Sequence, residues 1–295
     1  MRGIVICAYG HPYYGVYAAN LAASIKFSCP ELSITLLHDE AGVRHFTPNH
    51  FQLFDRLHTI PQDCFYSNGV LQFYRAKLFS YFLSSYEETI FLDADMIMLP
   101  KGRNLNTIFD ELKDIDFTIQ NRNNFEINQE TSPDMWANLA DIKTAYQISE
   151  GKFYYISSEF IYFKKSEKNE KIFKDAITIY DSLKISYKRF GGGIPDELPL
   201  SISMLCNGIN PHENGYSPIY WESAEKKGYR LEQLYQTKYI GYSAGGHIAA
   251  NNRMKEVYNT LVQFYAAKYG LPPFLFRDKR SFIKRSEEHT SELQS

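Results

Sequence analysis

Two carboxylates that follow an apolar run are the side chains best placed in the sequence to do chemistry. Asp93 and Asp95 come directly after residues 90–92, Ile-Phe-Leu, and are separated by one alanine. Within a regular strand they would point to opposite faces, but where the chain turns at a strand end both can reach one cation, directly or through water. Carboxylate oxygens suit hard cations such as Mg²⁺ and Mn²⁺, which can bind a diphosphate. The alternative is a turn held by Asx hydrogen bonds, without a ligand.

Three further acidic side chains stand where a ligand could reach them. Asp39 ends a second apolar run, and its carboxylate could accept a hydrogen bond from a base or a ribose, or cap a helix. Asp196 and Glu197 follow the glycines at 191–193, which permit close approach of a ligand. One of this pair could orient an acceptor hydroxyl or act as a general base. Both could instead stabilise the N-terminus of a helix that starts near Leu198.

The elements that must position these residues alternate in type. Short apolar runs predict four strands in the first part of the chain, at residues 3–8, 33–37, 54–60 and 89–92. Helical spacing predicts a helix around Tyr17, Leu21 and Ile25, which ends at Cys29-Pro30, and a second helix over 70–83. This alternation predicts an α/β fold with a mostly parallel, doubly wound sheet and helices on both faces. Because ligands bind outside the carboxyl ends of such strands, the loops after the first, second and fourth strands should share one edge.

The second half of the chain is less regular. Further strands are expected at residues 116–120, 155–163 and 239–242. Further helices are expected at residues 133–148, 167–183, 198–205 and 254–269, the first with Ser132 as N-cap and Pro133 at its first position. The Asn- and Gln-rich residues 121–130 are expected to form a surface loop. The sequence shows neither an internal repeat nor linker composition, so one domain over residues 1–284 is the simplest organisation.

Composition and charge argue against several classes of protein. Of the 295 residues 44% are hydrophobic and 22% are charged, as in a globular chain rather than a disordered or fibrous one. The formal net charge of −2 gives no reason to expect a nucleic-acid partner. No apolar run reaches the ~20 residues that a membrane span needs. The four cysteines have neither C-x-x-C nor zinc-ligand spacing and are interpreted as reduced, mostly buried thiols.

The two ends of the chain complete these expectations. The first residues lack the features of a signal peptide, so a protein of the cytoplasm or of the cytoplasmic membrane face is expected. Residues 285–295 have no apolar period and match the conceptual translation of a common sequencing-library adapter throughout. They are excluded from fold reasoning, and the native chain is expected to end at or near Lys284. The sequence leaves the oligomeric state open, a dimer included.

The segment from Lys77 to Leu99 resembles a known family. Lys77-Leu78, fourteen intervening residues and then Asp93-Ala94-Asp95 are similar to the donor-binding core of glycogenin and its relatives, glycosyltransferase family 8 of the GT-A fold. This resemblance implies a nucleotide-diphosphate sugar donor such as a UDP-sugar, and a divalent cation, Mn²⁺ or Mg²⁺. It implies transfer of a hexose with retention to a hydroxyl of a glycan, lipid or protein. Residues 1–122 would then be the nucleotide-binding half of the domain and 123–284 the acceptor-side half.

The resemblance also implies roles for individual residues. Asp93 and Asp95 would hold the cation, while Lys77 would add a positive charge at the phosphates or at the carboxylates on the sugar side. Arg75 lies on roughly the opposite face of the expected helix from Lys77 and should not enter the site. The expected catalytic residues are Asp196, Glu197 and Lys77. The expected contacts of the nucleotide donor are Ala8, Tyr9, Tyr13, Tyr14, Asp39, Lys77, Asp93 and Ala94.

Other parts of the chain depart from the family pattern. Residues 157–161 resemble its Asn-Ser-Gly strand, but Ser157 and Glu159 replace Asn and Gly. Residues 190–198 resemble its Phe-x-Gly-Gly loop and acidic segment, with two residues inserted. The C-terminal His-x-x-Gly-x-x-Lys-Pro-Trp motif is not intact, and His247 stands a few residues late. His247 is expected either as a third metal ligand, which would favour Mn²⁺, or as a donor to a loop carbonyl.

Three alternative functions use similar features. A haloacid-dehalogenase-type phosphatase carries D-x-D after its first strand with Thr four residues after the first Asp, where this chain has Ile97. A sugar-phosphate nucleotidyltransferase needs G-x-G-T-R after the first strand, where this chain has Ala-Tyr-Gly-His-Pro-Tyr at 8–13. A degenerate transferase kept as a nucleotide-sugar binding protein would account for Glu159 and for the incomplete C-terminal motif. Metal-dependent nucleotide binding without turnover would favour this last function.

Overall fold

The computed structural model describes residues 1–129, 136–189, 193–212, 216, 218–220, 240–243 and 252–271. The strands within these residues are β1 (Arg2–Ala8), β2 (Ser33–His38), β3 (Arg56–Thr59), β4 (Tyr66–Ser67), β5 (Val70–Leu71), β6 (Glu88–Leu92), β7 (Met96–Met98), β8 (Phe117–Glu126), β9 (Lys152–Lys164), β10 (Ile219–Tyr220) and β11 (Gly241–Ser243). The α-helices there are α1 (Pro12–Ser28), α2 (Glu40–Val43), α3 (Pro48–Phe51), α4 (Ser80–Leu83), α5 (Leu105–Glu111), α6 (Leu139–Tyr146), α7 (Glu167–Asp181), α8 (Glu197–Cys206) and α9 (Asn252–Tyr269). Two 3₁₀-helices, Gln62–Phe65 and Phe73–Phe79, precede α4.

Six strands form the main sheet in the order β3-β2-β1-β6-β9-β8. The first four run parallel, whereas β9 is antiparallel to both β6 and β8. The α/β prediction is therefore confirmed, with an antiparallel pair added at one side of a mostly parallel sheet. The carboxyl ends of β1, β2 and β6 meet at one edge, as expected. Strand β7, which follows the turn after β6, belongs to a smaller sheet with the strand order β10-β11-β7.

Alternate residues of β1 show how the main sheet is covered on both faces. Ile4 and Ile6 pack into a core with α1, α5 and α9, whereas Val5 and Cys7 pack into a second core with α7 and α8. All four side chains are buried. A strand that is buried on both faces requires a continuous apolar run, which is why the sequence signal was a run rather than an alternation.

Two glycines bring α1 close to the sheet edge. The helix starts at Pro12, and the side chain of His11 accepts a hydrogen bond from the backbone N–H of Tyr13 at 3.2 Å. A Cβ atom on Gly15 would fall inside the carbonyl oxygen of Gly42, and one on Gly42 would fall inside the carbonyl oxygen of Ala8. Only glycine permits this approach of three backbones, which fixes the loop after β1 against α2.

The predicted helix over residues 70–83 is wrong in its first part. Asn68 and Gly69 have positive φ angles of 52° and 76° and form the turn of a hairpin that pairs Tyr66 with Leu71. Asn-Gly favours such a turn because these residues adopt the left-handed conformation most readily. The chain becomes helical only from Phe73, first as a 3₁₀-helix and then as α4. The turn preference of Asn-Gly therefore outweighs the helix preference that was inferred from apolar residues at every fourth position.

Two elements of the second half also differ from prediction. Strand β8 runs to Glu126, so part of the expected surface loop is paired with β9, through two register shifts. The helix expected from residue 133 begins only at Leu139, where the side chain of Asn138 accepts from the backbone N–H of Ala140. The residues on which other predictions fall lie outside the described residues: Ser132, Pro133, 190–192, His247 and 285–295.

The cysteines and the helices bear on two further expectations. Cys7, Cys29 and Cys64 are buried free thiols, and Cys206 is an exposed one, which confirms that most of them are buried. Among the helices that the structure describes, none is both long and apolar enough to cross a membrane.

Candidate active site

Lys77 lies buried at the edge where the parallel strands end. Its Nζ donates hydrogen bonds to Oδ2 of Asp93 at 2.9 Å and to Oγ of Ser158 at 2.8 Å, and lies 3.6 Å from Oδ2 of Asp196. Burial disfavours the charged ammonium group, but the carboxylates of Asp196 and Asp93 outweigh burial and hold the pKa of Lys77 well above its usual value. One fixed positive charge therefore joins three separate segments of the chain.

Arg75 holds in place the 3₁₀-helix that carries Lys77. Its Nε and Nη2 each lie 2.7 Å from the carboxylate of Asp181, at the end of α7, and its Nη1 donates to the carbonyl of Asp63 at 2.8 Å. The guanidinium also lies 4.9 Å from the ring centre of Phe79. Arg75 thus points away from Lys77, as expected, and fixes the short helix against α7.

Asp93 and Asp95 lie in a tight turn between β6 and β7. The backbone N–H of Asp93 donates to the carbonyl of Glu159 at 3.0 Å, and that of Met96 donates to the carbonyl of Asp93 at 3.1 Å. Asp95 is partly buried and forms no salt bridge with any residue that the structure describes. Burial, and then the charges of Asp93 and Glu159, raise the pKa of Asp95 well above its usual value.

The donor atoms of this turn fit a divalent cation of the hard type. Asp93 and Asp95 offer carboxylate oxygens, which Mg²⁺ and Mn²⁺ prefer, and a cation would offset the repulsion between Asp95 and the charges of Asp93 and Glu159. The described residues contain no group of three His, Cys, Asp or Glu side chains arranged to hold a metal ion. The expected third ligand, His247, lies outside them. The two aspartates are therefore candidate ligands, and the structure describes no third one beside them.

Asp196 and Glu197 stand at the start of α8. Asp196 occupies the N-cap position, yet its side chain makes no capping hydrogen bond and faces Lys77 instead. Oε1 of Glu197 accepts a hydrogen bond from the backbone N–H of Ser158 at 3.4 Å. Burial, and then the charges of Asp196 and Glu159, raise the pKa of Glu197 to about 8. Two neighbouring acids are thus held in different environments, which is a common feature of sites that move protons.

Sequence reasoning gave no role to the Arg122–Glu159 pair beside this site. Nη2 of Arg122 donates to Oγ of Ser157 at 2.8 Å and lies 3.4 Å from Oε1 of Glu159, while Ser157 also bonds Glu159. The guanidinium lies 5.8 Å from the ring centre of Tyr155. The sequence signal was present, since Glu159 and Ser157 are the positions that depart from the family pattern. The two residues that depart from the family pattern, Ser157 and Glu159, therefore form one hydrogen-bonded group with Arg122.

Asp39 ties the end of β2 to the loop after β1. Its Oδ1 accepts from the backbone N–H of Gly42 at 2.7 Å and caps α2, and its Oδ2 accepts from the backbone N–H of Gly10 at 2.8 Å. Ala8 is buried, and its carbonyl accepts from the backbone N–H of Asp39 at 3.4 Å. Both carboxylate oxygens of Asp39 therefore already accept hydrogen bonds from backbone N–H groups. Asp39 thus shapes the loop after β1, which is expected to contact the nucleotide.

One tyrosine of that loop, Tyr9, and two at the start of α1, Tyr13 and Tyr14, differ in their surroundings. Tyr9 lies on the Lys77 side, where its pKa is raised well above normal by burial and then by Cys7. The pKa of Tyr14 is raised to about 12 by burial and then by the charge of Asp95, which places this phenol on the side of the acidic turn after β6. Tyr13 instead stacks on His11 with ring centres 4.4 Å apart. Tyr9 and Tyr14 thus flank the candidate site from two sides.

Helix α9 contributes a tyrosine that sequence reasoning did not single out. The ring of Tyr258 lies 5.8 Å from that of Tyr17, edge to face, and its hydroxyl accepts from Nδ2 of Asn20 at 3.3 Å. Burial raises the pKa of Tyr258, with a smaller contribution from the charge of Asp95. The only sequence signal for Tyr17 was its place in the apolar stripe of α1, and none marked Tyr258.

The fold is similar to that of solved glycosyltransferases. The galactosyltransferase LgtC, in complex with donor and acceptor sugar analogs, matches with a TM-score of 0.53 at 16% identity, over 88% of this chain and 96% of that chain. An active-site mutant of LgtC matches with a TM-score of 0.55 at 15% identity, over 94% of this chain and 99% of that chain. The chain has the GT-A fold. In sequence it matches no protein-family model and no curated protein.

The GT-A fold agrees with the position of the candidate site. At 15–16% identity the likeness to LgtC shows the fold alone, so membership of family 8 stays a prediction. Within the fold, Asp93 follows the fourth strand of the main sheet along the chain rather than the first, which does not favour the phosphatase alternative. The structure brings Lys77, Asp93 and Asp196 into contact and places Asp95 and Glu197 beside them. Asp39, Ala8 and Tyr13 belong to the adjoining loops.

Proposed function

We propose that this chain is a metal-dependent glycosyltransferase. It would take a nucleotide-diphosphate sugar, a UDP-sugar by resemblance to family 8, and transfer a hexose with retention to a hydroxyl of a glycan, lipid or protein. The GT-A fold supports the reaction class, and the acidic turn after β6 supports the dependence on metal. From its sequence, we expect the enzyme in the cytoplasm or at the cytoplasmic face of a membrane.

The position of Lys77 is the single observation that carries this proposal. Burying an ammonium group costs solvation free energy, which Asp93 at 2.9 Å and Asp196 at 3.6 Å offset. In an open α/β sheet such a group at the carboxyl edge stands where ligands bind. A diphosphate bound there would meet a fixed positive charge that needs no reorganisation during the reaction.

The turn after β6 would supply the second positive charge by holding a cation. Asp93 and Asp95 would be its ligands, with His247 as the proposed third. A bound divalent cation neutralises the negative charge that builds on a departing diphosphate. Lys77 would orient Asp93 for this task through their shared hydrogen bond, and Glu159 would fix the turn by accepting from the backbone N–H of Asp93. Tyr14 would close the site on the side of α1.

Asp196 and Glu197 would act on the acceptor. During transfer the acceptor oxygen would form a bond to the anomeric carbon as the bond from that carbon to the diphosphate oxygen breaks, and the hydroxyl proton would pass to the carboxylate of Asp196 and from there to solvent. The carboxylate of Asp196, held beside Lys77, would accept a hydrogen bond from the hydroxyl. Glu197, with a pKa of about 8, keeps its proton at neutral pH and would donate a hydrogen bond to the reacting sugars.

Paired substitutions at the turn test the proposal. Titration calorimetry would measure UDP binding with and without Mn²⁺ in the wild type and in the double variant Asp93→Asn, Asp95→Asn. We expect Mn²⁺ to strengthen binding in the wild type and to have no effect in the double variant. Asp114→Asn is the matched control, because Asp114 is exposed and lies outside the site. An unchanged Mn²⁺ effect in the double variant would refute the proposed role of the turn.

A donor-hydrolysis assay separates the enzyme from the binding-protein alternative. A transferase releases sugar slowly from its donor to water when no acceptor is present, and Mn²⁺ should be required for this reaction. Metal-dependent UDP binding without hydrolysis of any UDP-sugar, and without transfer across a broad acceptor panel, would favour the degenerate protein. No metal-dependent nucleotide binding at all would exclude both.

A further inference from the structure

An apolar surface adjoins the candidate site and has no part in the proposed chemistry. We define it as the apolar hairpin, residues 66–73, which comprises β4, β5 and the first residue of the following 3₁₀-helix. Four large apolar side chains lie exposed within these eight residues: Tyr66 (44%), Val70 (57%), Leu71 (47%) and Phe73 (40%). The segment from 64 to 74 carries no charged residue. Exposed apolar patches of this kind mark binding surfaces more often than isolated exposed residues do.

Two of these side chains share one face of the hairpin. Tyr66 and Leu71 are directly opposite each other across the two strands. Phe73 follows Leu71 by two residues, at the first position of the 3₁₀-helix, and its ring centre lies 5.9 Å from that of Phe65. The side chain of Gln72 accepts from the hydroxyl of Tyr180 at 3.3 Å, and Asn68 donates to the carbonyl of Asp181 at 2.7 Å. These two hydrogen bonds tie the hairpin to α7.

The apolar hairpin continues into the candidate site at its inner end. The ring of Phe73 lies 3.0 Å from where a Cβ on Gly10 would stand, in the loop after β1. Its neighbour Tyr74 lies 3.2 Å from the corresponding position on Gly193, three residues before Asp196. Lys77 follows four residues after Phe73 on the same short helix. Through Phe73, the apolar hairpin thus adjoins the rim between the proposed donor loop and the proposed acceptor acids, and its two strands lead outward from there.

We propose that the apolar hairpin binds an alkyl or aromatic group attached to the acceptor, next to the hydroxyl that receives the sugar. This inference rests on the proposed function and names its acceptor class. The charged diphosphate of the donor belongs at Lys77 and the acidic turn, so the group that extends outward from the rim is that of the acceptor. The uncharged segment offers no partner for a phosphate, and the aliphatic side chains of Val70 and Leu71 offer a sugar ring no hydrogen bonds. Hydrocarbon therefore fits the apolar hairpin best.

Matched acceptors test the proposal by calorimetry. Octyl and methyl β-glycosides of the same sugar, as glucoside, galactoside and mannoside pairs, are titrated below micelle concentration into the wild type with UDP and Mn²⁺. We expect at least one pair in which the octyl compound binds about tenfold more tightly, since each CH₂ removed from water favours binding by roughly fourfold. Leu71→Ser should lower that ratio to about threefold or less. Leu57→Ser, an equally exposed leucine on β3, should keep the wild-type ratio.

Equal affinities for octyl and methyl compounds in every pair would overturn the inference. So would a ratio that Leu71→Ser leaves intact, or a wild-type dimer in sedimentation that Leu71→Ser turns into monomer, since the face would then bind a second copy of the chain. Repeating the titrations without UDP measures the alkyl preference even where nucleotide does not bind. Metal-dependent donor hydrolysis without an alkyl preference defeats this inference alone, whereas loss of nucleotide binding defeats the proposed function.

Discussion

Asp39 at the end of β2 reaches across to the loop after β1, where its Oδ2 accepts a hydrogen bond from the backbone N–H of Gly10 at 2.8 Å. Its other oxygen accepts from the backbone N–H of Gly42 at 2.7 Å. One carboxylate thus holds two adjoining loops at the sheet edge, and the loop from Tyr9 to His11 owes its shape to that carboxylate as well as to the end of β1.

Replacing Asp39 by alanine should lower both stability and nucleotide affinity. Each hydrogen bond to a charged group contributes about 1.5–3 kcal/mol, so we expect Asp39→Ala to lose about 3 kcal/mol of unfolding free energy. Asp39→Asn keeps one acceptor oxygen and should lose about half as much. Urea unfolding measures the stability, and UDP titration at a temperature where both variants are folded measures the affinity. Normal stability with lost UDP binding would show a direct contact to the nucleotide instead.

Lys77→Met should abolish turnover while leaving a folded protein. The substitution keeps the volume of the stem but removes the positive charge between Asp93 and Asp196, and preorganised charges of this kind contribute about 100-fold or more to the rate. Donor hydrolysis and transfer rates are the measurement, with circular dichroism to verify folding. Lys168→Met on the exposed side of α7 is the control. Rates within about threefold of the wild type would remove Lys77 from the proposed mechanism.

The D-x-D turn was predictable from sequence because its signal is local. Ile90, Phe91 and Leu92 are fully buried in β6, so a strand running into two aspartates was visible as an apolar run followed by charge. The contact between Lys77 and Asp196 was not, because they lie 119 positions apart in the chain and only tertiary packing brings them together. The resemblance to family 8 supplied both residues, but no pattern in the chain shows that they meet.

The errors in the fold have physical reasons of the same kind. The predicted helix over 70–83 was wrong at its start because Asn68-Gly69 forms a hairpin turn there. These two residues lie just before the segment whose apolar spacing predicted the helix. The surface loop predicted from Asn121 was wrong in its first part, because β9 is long enough to pair with these polar residues. Pairing with a neighbouring strand outweighs the polar composition of a single segment. Tyr258 could not be assigned at all, since only the tertiary position of α9 brings it near Asp95.

Glu197→Gln should change how stability depends on pH. Burial and the neighbouring acids raise the folded-state pKa of Glu197 to about 8, above its ordinary value of 4.5. Between these two pH values the folded protein keeps a proton that the unfolded chain has lost, so wild-type stability falls as the pH rises through this window. The neutral glutamine removes this loss. The melting temperature of Glu197→Gln should therefore exceed that of the wild type by about 5 °C at pH 8.5 and by little at pH 5.

A melting-temperature difference that stays constant from pH 5 to pH 8.5 would contradict this prediction. Lys77 and Asp196 face the same region, so the scan is repeated with Mn²⁺ present, where a bound cation would lower the pKa of nearby acids and narrow the difference. Glu167→Gln, at the exposed start of α7, is the matched control and should give parallel curves. This control separates the local environment of Glu197 from the general effect of removing one carboxylate.

Arg75→Lys should destabilise the protein although it keeps the charge. A lysine ammonium cannot bond both oxygens of Asp181 and also the carbonyl of Asp63, so we expect a loss of about 2 kcal/mol in urea unfolding. A double-mutant cycle with Asp181→Asn should show that most of this loss is the coupling between the two side chains. The more exposed pair of Arg103 and Glu111 provides the comparison, where a coupling below about 1 kcal/mol is expected. Equal couplings would mean that Arg75 does not anchor the helix of Lys77.

Gly15→Ala should be the most destabilising of the glycine substitutions, for a steric reason. A methyl group there would overlap the carbonyl oxygen of Gly42, so α1 must move away from α2, at a cost of about 3 kcal/mol. Gly208 has a φ of 62° with open space around it, and Gly208→Ala should cost only about 1 kcal/mol from backbone strain. Because α1 carries Tyr14, the movement should also weaken UDP binding in Gly15→Ala and not in Gly208→Ala. Unfolding curves of equal midpoint for the two variants would show that α1 can shift at the sheet edge without cost.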